Sequence, residues 1–262
     1  MAFEGLIAFG LTLLLFLVIQ RWLHHEMQAF FYLLTRRPNL AVTLFSIVLF
    51  PGVFLHEFSH VLAAWLLRVP LRGFSLLPRL SSDGQLQLGY VQTSKTDFLR
   101  DALIGAAPFF TGSLVVAYLG LNHLGLNVLF PPLLQANWQA LLPQMLALTQ
   151  QPDFWLWFYL TFAVSSTMIP SAADRRAWWA VAVALGIFAM VAFLAGIEQW
   201  LALSLWPMLN QALSAQGLIL GMALTIHLAL AIPLWVTNRV LFRARRALAS
   251  TNTPRSGIKT KF

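Results

Sequence analysis

Residues 45–67 read FSIVLFPGVFLHEFSHVLAAWLL. A helix needs about 20 mostly apolar residues to cross a hydrocarbon core, and this run is long enough. Pro51 and Gly52 interrupt its first half. His56, Glu57 and His60 then place three ionisable side chains inside it. Ionisable groups within an apolar span are expensive to bury and are functional candidates by default. The stretch therefore predicts both a membrane helix and a site built on it.

The rest of the chain supports a membrane reading. Of 262 residues, 59% are hydrophobic and 10% are charged. Soluble domains carry about 25% charged residues, so this chain has too little polar surface for a water-soluble particle. Six candidate spans are visible, at 5–23, 41–67, 102–121, 155–173, 177–197 and 217–238. The expected fold is all-α integral membrane: about six transmembrane helices, a small cytoplasmic β-hairpin loop and interfacial helices. Residues 1–250 form a single polytopic domain, and 251–262 a flexible basic tail.

The connections refine this picture. Residues 68–101 are polar, and GQLQLGYV at 84–91 alternates apolar and polar positions. That pattern predicts a hairpin turning at Ser82-Asp83-Gly84. Residues 122–154 are apolar but broken by Pro131, Pro132, Pro143 and Pro152, which suits interfacial or re-entrant helices. Residues 198–216, with Trp200 and Trp206, read as an interfacial helix with aromatic anchors.

The net charge of +8 would suggest nucleic acid in a soluble protein. Here the basic residues flank apolar segments, where they set topology instead. With both termini in the cytoplasm, Arg68, Arg72, Arg79, Lys95, Arg100, Arg175, Arg176 and all the basic residues after 238 face inward. Arg21, Arg36 and Arg37 remain outside, as the positive-inside rule favours. The N-terminus, MAFEGL, lacks the basic start of a signal peptide. A multi-pass protein of the cell membrane is expected, with lipid and not nucleic acid around it.

The chemistry starts from spacing. His56 and His60 lie one helical turn apart, so both imidazoles can reach one metal ion, with Glu57 beside them to carry a proton. The chain has no cysteine, so any metal must be held by His, Asp or Glu. A tetrahedral catalytic zinc wants a third protein ligand. His60 lies about 19 residues into the second span, and Asp174 about 19 residues into the fourth. At 1.5 Å per residue both sit roughly 28 Å down, so Asp174 is the candidate third ligand. Its competing role is as a partner for Arg175 or Arg176.

HEFSH on the second span, Asp174 at the end of the fourth and six spans resemble the site-2 protease family of intramembrane metalloproteases. GAAPFFTGS at 105–113 looks like that family's small-residue, Gly and Pro segment. IPSAAD at 169–174 is similar to its Pro-containing segment ending in the ligand Asp. The resemblance covers about residues 41–180. The chain departs from the pattern at Ser166, Thr167 and Arg175, and its Pro-to-Asp spacing is one residue shorter. The resemblance implies that His56, His60 and Asp174 bind zinc and that Glu57 is the general base. The substrate would be a membrane protein or peptide, cut in or next to a transmembrane segment. It must unwind locally to expose a carbonyl. Pro51 and Gly52 would leave room for that, with Pro108 and Pro170 as further access or packing positions.

Two other readings come from different classes. A scaffold on the same fold would have no use for Glu57. A transporter using the same ionisable groups predicts inverted repeats, and none is visible. His227 reads as a helix–helix hydrogen bond. His24, His25 and Glu26 fall at a membrane boundary, where polar residues are ordinary. Gly105 and Gly112, with Ala106 and Ala107, read as close helix-packing positions.

Overall fold

The computed structural model describes residues 3–76, 79–80 and 86–251. It is overwhelmingly helical. Helix α1 (Glu4–Thr35) and α2 (Pro38–Leu66) form a tight hairpin. Arg36 closes α1 in the left-handed conformation, and Pro38 opens α2 at its first turn, where a missing N–H costs nothing. Helix α2 continues through Pro51 to Leu66 without a break.

Between α2 and α3 lies the expected hairpin. Strand β1 (Leu71–Ser75) pairs antiparallel with β4 (Tyr90–Thr93). The short strands β2 (Arg79–Leu80) and β3 (Leu86–Gln87) pair antiparallel as a second two-stranded sheet. The turn at Ser82-Asp83-Gly84 lies outside the described residues. Asp97 caps α3 (Phe98–Asn122) by accepting from the Arg100 N–H at 3.0 Å.

The proline-punctuated connection holds a 3₁₀ turn (Leu126–Leu129) and two short helices, α4 (Phe130–Leu134) and α5 (Trp138–Leu148). The fourth candidate span is shorter than its apolar run. Helix α6 (Phe154–Thr167) has 14 residues, and the rest of the run is a turn. Pro170 accounts for this, because the residue before a proline is pushed out of the helical region. Helix α7 (Trp178–Leu194) follows.

The largest departure is at the C-terminal end. Residues 198–216 and 217–238 are not two elements but one helix, α8 (Glu198–Thr251), which runs on through Pro207 and Pro233. Trp206 packs on Phe3 with ring centroids 5.0 Å apart. Helix α8 lies along α1 in the same direction. Gly5 N–H donates to Asn210 Oδ1 at 3.0 Å, Asn238 Nδ2 to the Glu26 carbonyl at 2.9 Å, and Arg245 to the Leu33 carbonyl. In this parallel arrangement Glu4 and Thr251 lie at opposite ends of the pair, whereas the charge pattern predicts both termini on one side. Arg239, Arg243, Arg245 and Arg246 sit instead toward the α1–α2 turn. Of the tail expected at 251–262, everything beyond Thr251 lies outside the described residues.

Among the described residues, four helices are long and apolar enough to cross a membrane: Glu4–Thr35, Pro38–Leu66, Phe98–Asn122 and Glu198–Arg246. Along α7 only Ala192 is buried, while Ile187, Phe188, Met190 and Leu194 are exposed. Apolar surface of this extent is compatible with a lipid environment.

Candidate metal centre

Helices α2 and α6 run side by side in the same direction. Any Cβ on Gly52 would run into the Ala163 carbonyl, so only glycine permits this approach. The contact brings the last turn of α6 against the HEFSH turn. His56 Nδ1 donates to the Thr167 carbonyl at 2.6 Å. From the other side, His60 Nδ1 donates to the Ile104 carbonyl of α3 at 2.8 Å. A carbonyl only accepts, so each Nδ1 carries its proton and each Nε2 presents a lone pair. This is the outer hydrogen bonding typical of metal-bound histidines.

Asp174 closes the third side. Pro170 ends the helical run, and the following turn is tied to itself. Ser171 N–H donates to Asp174 Oδ2 at 2.7 Å, and Asp174 N–H donates to Ser171 Oγ at 3.3 Å. The competing partners go elsewhere. Arg176 forms a bidentate pair with Asp101 at 2.7 and 2.8 Å, and Arg175 donates to the Ser171 carbonyl. Burial pushes the Asp174 carboxyl up, but the facing His56 and His60 imidazoles in their protonated form, with the Ser171 N–H, outweigh it and hold the group well below the usual carboxylate range.

The fit to a metal can be judged from distances. His56 Nε2 lies 3.2 Å from His60 Nε2, His60 Nε2 lies 3.2 Å from Asp174 Oδ1, and His56 Nε2 lies 3.6 Å from Asp174 Oδ2. A tetrahedral zinc with bonds of about 2.0–2.1 Å has ligand–ligand edges of about 3.3–3.4 Å. His60 Nε2 stands near that spacing from both His56 Nε2 and Asp174 Oδ1, while His56 faces the other carboxylate oxygen. They form a set of potential ligand atoms within 4.8 Å of one another. Two lone pairs facing a carboxylate repel unless a cation, metal or proton, stands among them. The donor set suits zinc; the same pair of histidines with one carboxylate also suits ferrous iron.

Glu57 is buried beside this cluster. Gly89, just before β4, lies directly over it, and a Cβ there would stand 2.9 Å from Glu57 Cγ and 3.0 Å from Oε1. Two cavities meet at the site. One, of about 600 Å³, runs along α2 past Val53, Leu49 and Phe45 to His24 and Gln28 of α1. The other, of about 680 Å³, is polar and includes Arg72, Lys95 and Asp101. His60, Tyr90, Val91 and Asp174 line both.

Of the predicted site residues, His56, Glu57, His60 and Asp174 come together. Pro108 and Pro170 are buried near the cluster, and Pro51 lies within α2, one turn before His56. Gly105 backs the site, since a Cβ there would strike the Asp174 carbonyl. His227 makes the expected interhelical bond, accepting from Ser166 Oγ at 3.0 Å. Gln20 donates to the Ser166 carbonyl at 2.7 Å, so Ser166, next to Thr167, is held from α1 and α8 together. The carbonyls of Thr167 and Ile104, the Ser171 turn, Gly89, His24 and Gln28 carry no signal in the sequence. Backbone carbonyls have no side-chain signature, and the rest act only through neighbours distant along the chain. No family model, curated protein or solved structure matches this chain.

Proposed function

We propose that this chain is an intramembrane zinc-dependent endopeptidase, similar in plan to the site-2 proteases, hydrolysing peptide bonds in or next to transmembrane segments. The observation that carries the reading is the convergence of His56 Nε2, His60 Nε2 and the Asp174 carboxylate within 4.8 Å of one another, with both imidazoles oriented by backbone carbonyls. These three residues would hold the metal. Bound there, zinc would supply Lewis acidity to a substrate carbonyl and lower the pKa of a water.

Glu57 is not among the ligands and borders the same space. It takes the proton from the attacking water and gives it to the leaving amine nitrogen. That role separates a hydrolase from a metal-binding scaffold, which needs the histidines but not Glu57. The polar cavity at one end admits water. The cavity along α2, walled in part by Phe45, Leu49 and Val53, accepts a substrate segment that has lost its helix. The setting is a multi-pass protein of a cell membrane, with α7 and the broken α6 run completing the four longer helices.

The test pairs metal content with proteolysis on detergent-purified protein. About one zinc per chain, lost in His60→Ala and retained in Glu57→Gln, is expected by mass spectrometry. Glu57→Gln should lower cleavage of a quenched fluorescent transmembrane peptide by about 10²–10⁴-fold. Folded wild type that takes up no metal when zinc is supplied would sink the proposal. Iron in place of zinc would redirect it to oxygen chemistry.

A further inference from the structure

His24 and Gln28 stand one turn apart on α1, so they share a face. Both line the 600 Å³ cavity whose other end holds His56, His60 and Asp174. The His24 ring meets Phe45 edge-on, with centroids 5.4 Å apart. Neither side chain makes a hydrogen bond among the described residues, and His24 Nε2 is buried without a partner. The α2 wall between them and the metal site is apolar: Phe45, Leu49 and Val53. An imidazole nitrogen left unpaired in such surroundings costs free energy, so His24 points to an occupant that pairs with it, and the exposed Gln28 carboxamide one turn away stands ready to join it.

The separation indicates what the occupant is. From Phe45 to His56 is eleven residues of α2, or about 16 Å at 1.5 Å per residue. An extended chain covers that distance in about five residues at roughly 3.3 Å each. A substrate helix that unwinds to offer its carbonyl leaves several backbone N–H and C=O groups without partners, and in an apolar setting each is costly. Phe45, Leu49 and Val53 cannot satisfy them. A neutral imidazole offers one donor and one acceptor, and a carboxamide offers two donors and an acceptor.

We propose that His24 and Gln28 form a backbone-binding subsite that takes the amide groups of the unwound substrate about five residues from the scissile bond. This rests on the endopeptidase reading. The subsite recognises unwinding rather than a particular side chain, which suits an enzyme whose substrates share a transmembrane helix.

The test uses a synthetic 25-residue Leu/Ala transmembrane peptide with a central Gly-Gly pair, in detergent, with the cleaved bond mapped by mass spectrometry. Esters replace single amides four to six residues from that bond. In wild type, one ester should lower kcat/KM about threefold to tenfold, the worth of one hydrogen bond. His24→Leu or Gln28→Leu should lower kcat/KM for the all-amide peptide by a similar factor, and the ester should then add nothing. A peptide cut to three residues on each side of the bond should be cleaved equally by wild type and variants. Equal ester effects in wild type and variants, full activity of both variants on the long peptide, or slowing of the short peptide too would each overturn the subsite. A zinc-loaded wild type that cleaves no peptide overturns the endopeptidase reading itself. That is a different result from an active wild type whose variants match it.

Discussion

At the scale of single residues, the proposed function gives the metal to His56, His60 and Asp174 and the proton to Glu57. Gly89 gives a way to disturb the second alone. Gly89→Ala places a methyl against Glu57 and 3.1 Å from the Ser75 carbonyl, so the carboxylate must shift. A misplacement of this kind should lower kcat about 10- to 100-fold while zinc content stays unchanged. Loss of zinc in this variant would mean that Glu57 is itself a ligand. Acid should act on the other set. The Asp174 carboxyl is held below its usual range. Its charge is therefore present above the unfolded value and lost only as pH falls through the depressed folded one. Metal and proton compete for the same lone pair of each imidazole, so zinc affinity should weaken as the solution is acidified. Competition with a chelator at several pH values measures it, and a flat profile would show that the histidines are not ligands. His56, Glu57 and His60 were legible in the sequence because their spacing within one helix carries the chemistry. Asp174 needed an argument from depth. Thr167, Ile104 and Gly89 were not legible, because what they offer is backbone.

At the scale of elements, the site is an intersection. Helix α2 brings the histidines, α6 brings a carbonyl and the turn after it, and α3 backs both. Gly105 and Gly112 are the contacts that let α3 approach, at Asp174 and Met168. The sequence marks these glycines as packing positions but does not say against what. Gly105→Val should force α3 away from the Asp174 turn, at a cost of about 1–3 kcal/mol for overpacking. Zinc affinity should fall about 10- to 100-fold, as when an outer-shell support is lost. Gly10→Val, with nothing within 4 Å of the added Cβ, should change neither. Equal zinc affinity in Gly105→Val and wild type, measured in folded protein, would show that α3 does not set the position of Asp174. The hairpin was readable from its alternation, while the end of α6 was readable only in outline. A 19-residue apolar run looks like a full span, yet Pro170 ends its helix early and frees Ser171 and Asp174 to turn inward.

At the scale of the molecule, the question is which ends lie together. Apolar composition and long helices were plain from the sequence, but the side assignment was not. It treated 198–216 as an interfacial helix separate from the span at 217–238. Nothing in that stretch forces a break, since a helix tolerates Gly217 and carries Pro207 within it. Once α8 is continuous and parallel to α1, the arginines at its end join Arg36 and Arg37 rather than Lys95, and the charge count no longer favours one face so clearly. The two arrangements predict opposite labelling. The chain has no cysteine, so single substitutions Arg37→Cys, Lys95→Cys and Arg243→Cys give unambiguous reporters at exposed positions. In intact cells, an impermeant maleimide should treat residues 37 and 243 alike and residue 95 oppositely. If 95 and 243 label together and 37 does not, the span at 217–238 crosses in the direction the charge pattern predicts. His227 would then enter from the other side, and its bond to Ser166 at the back of the metal site would have to be rebuilt.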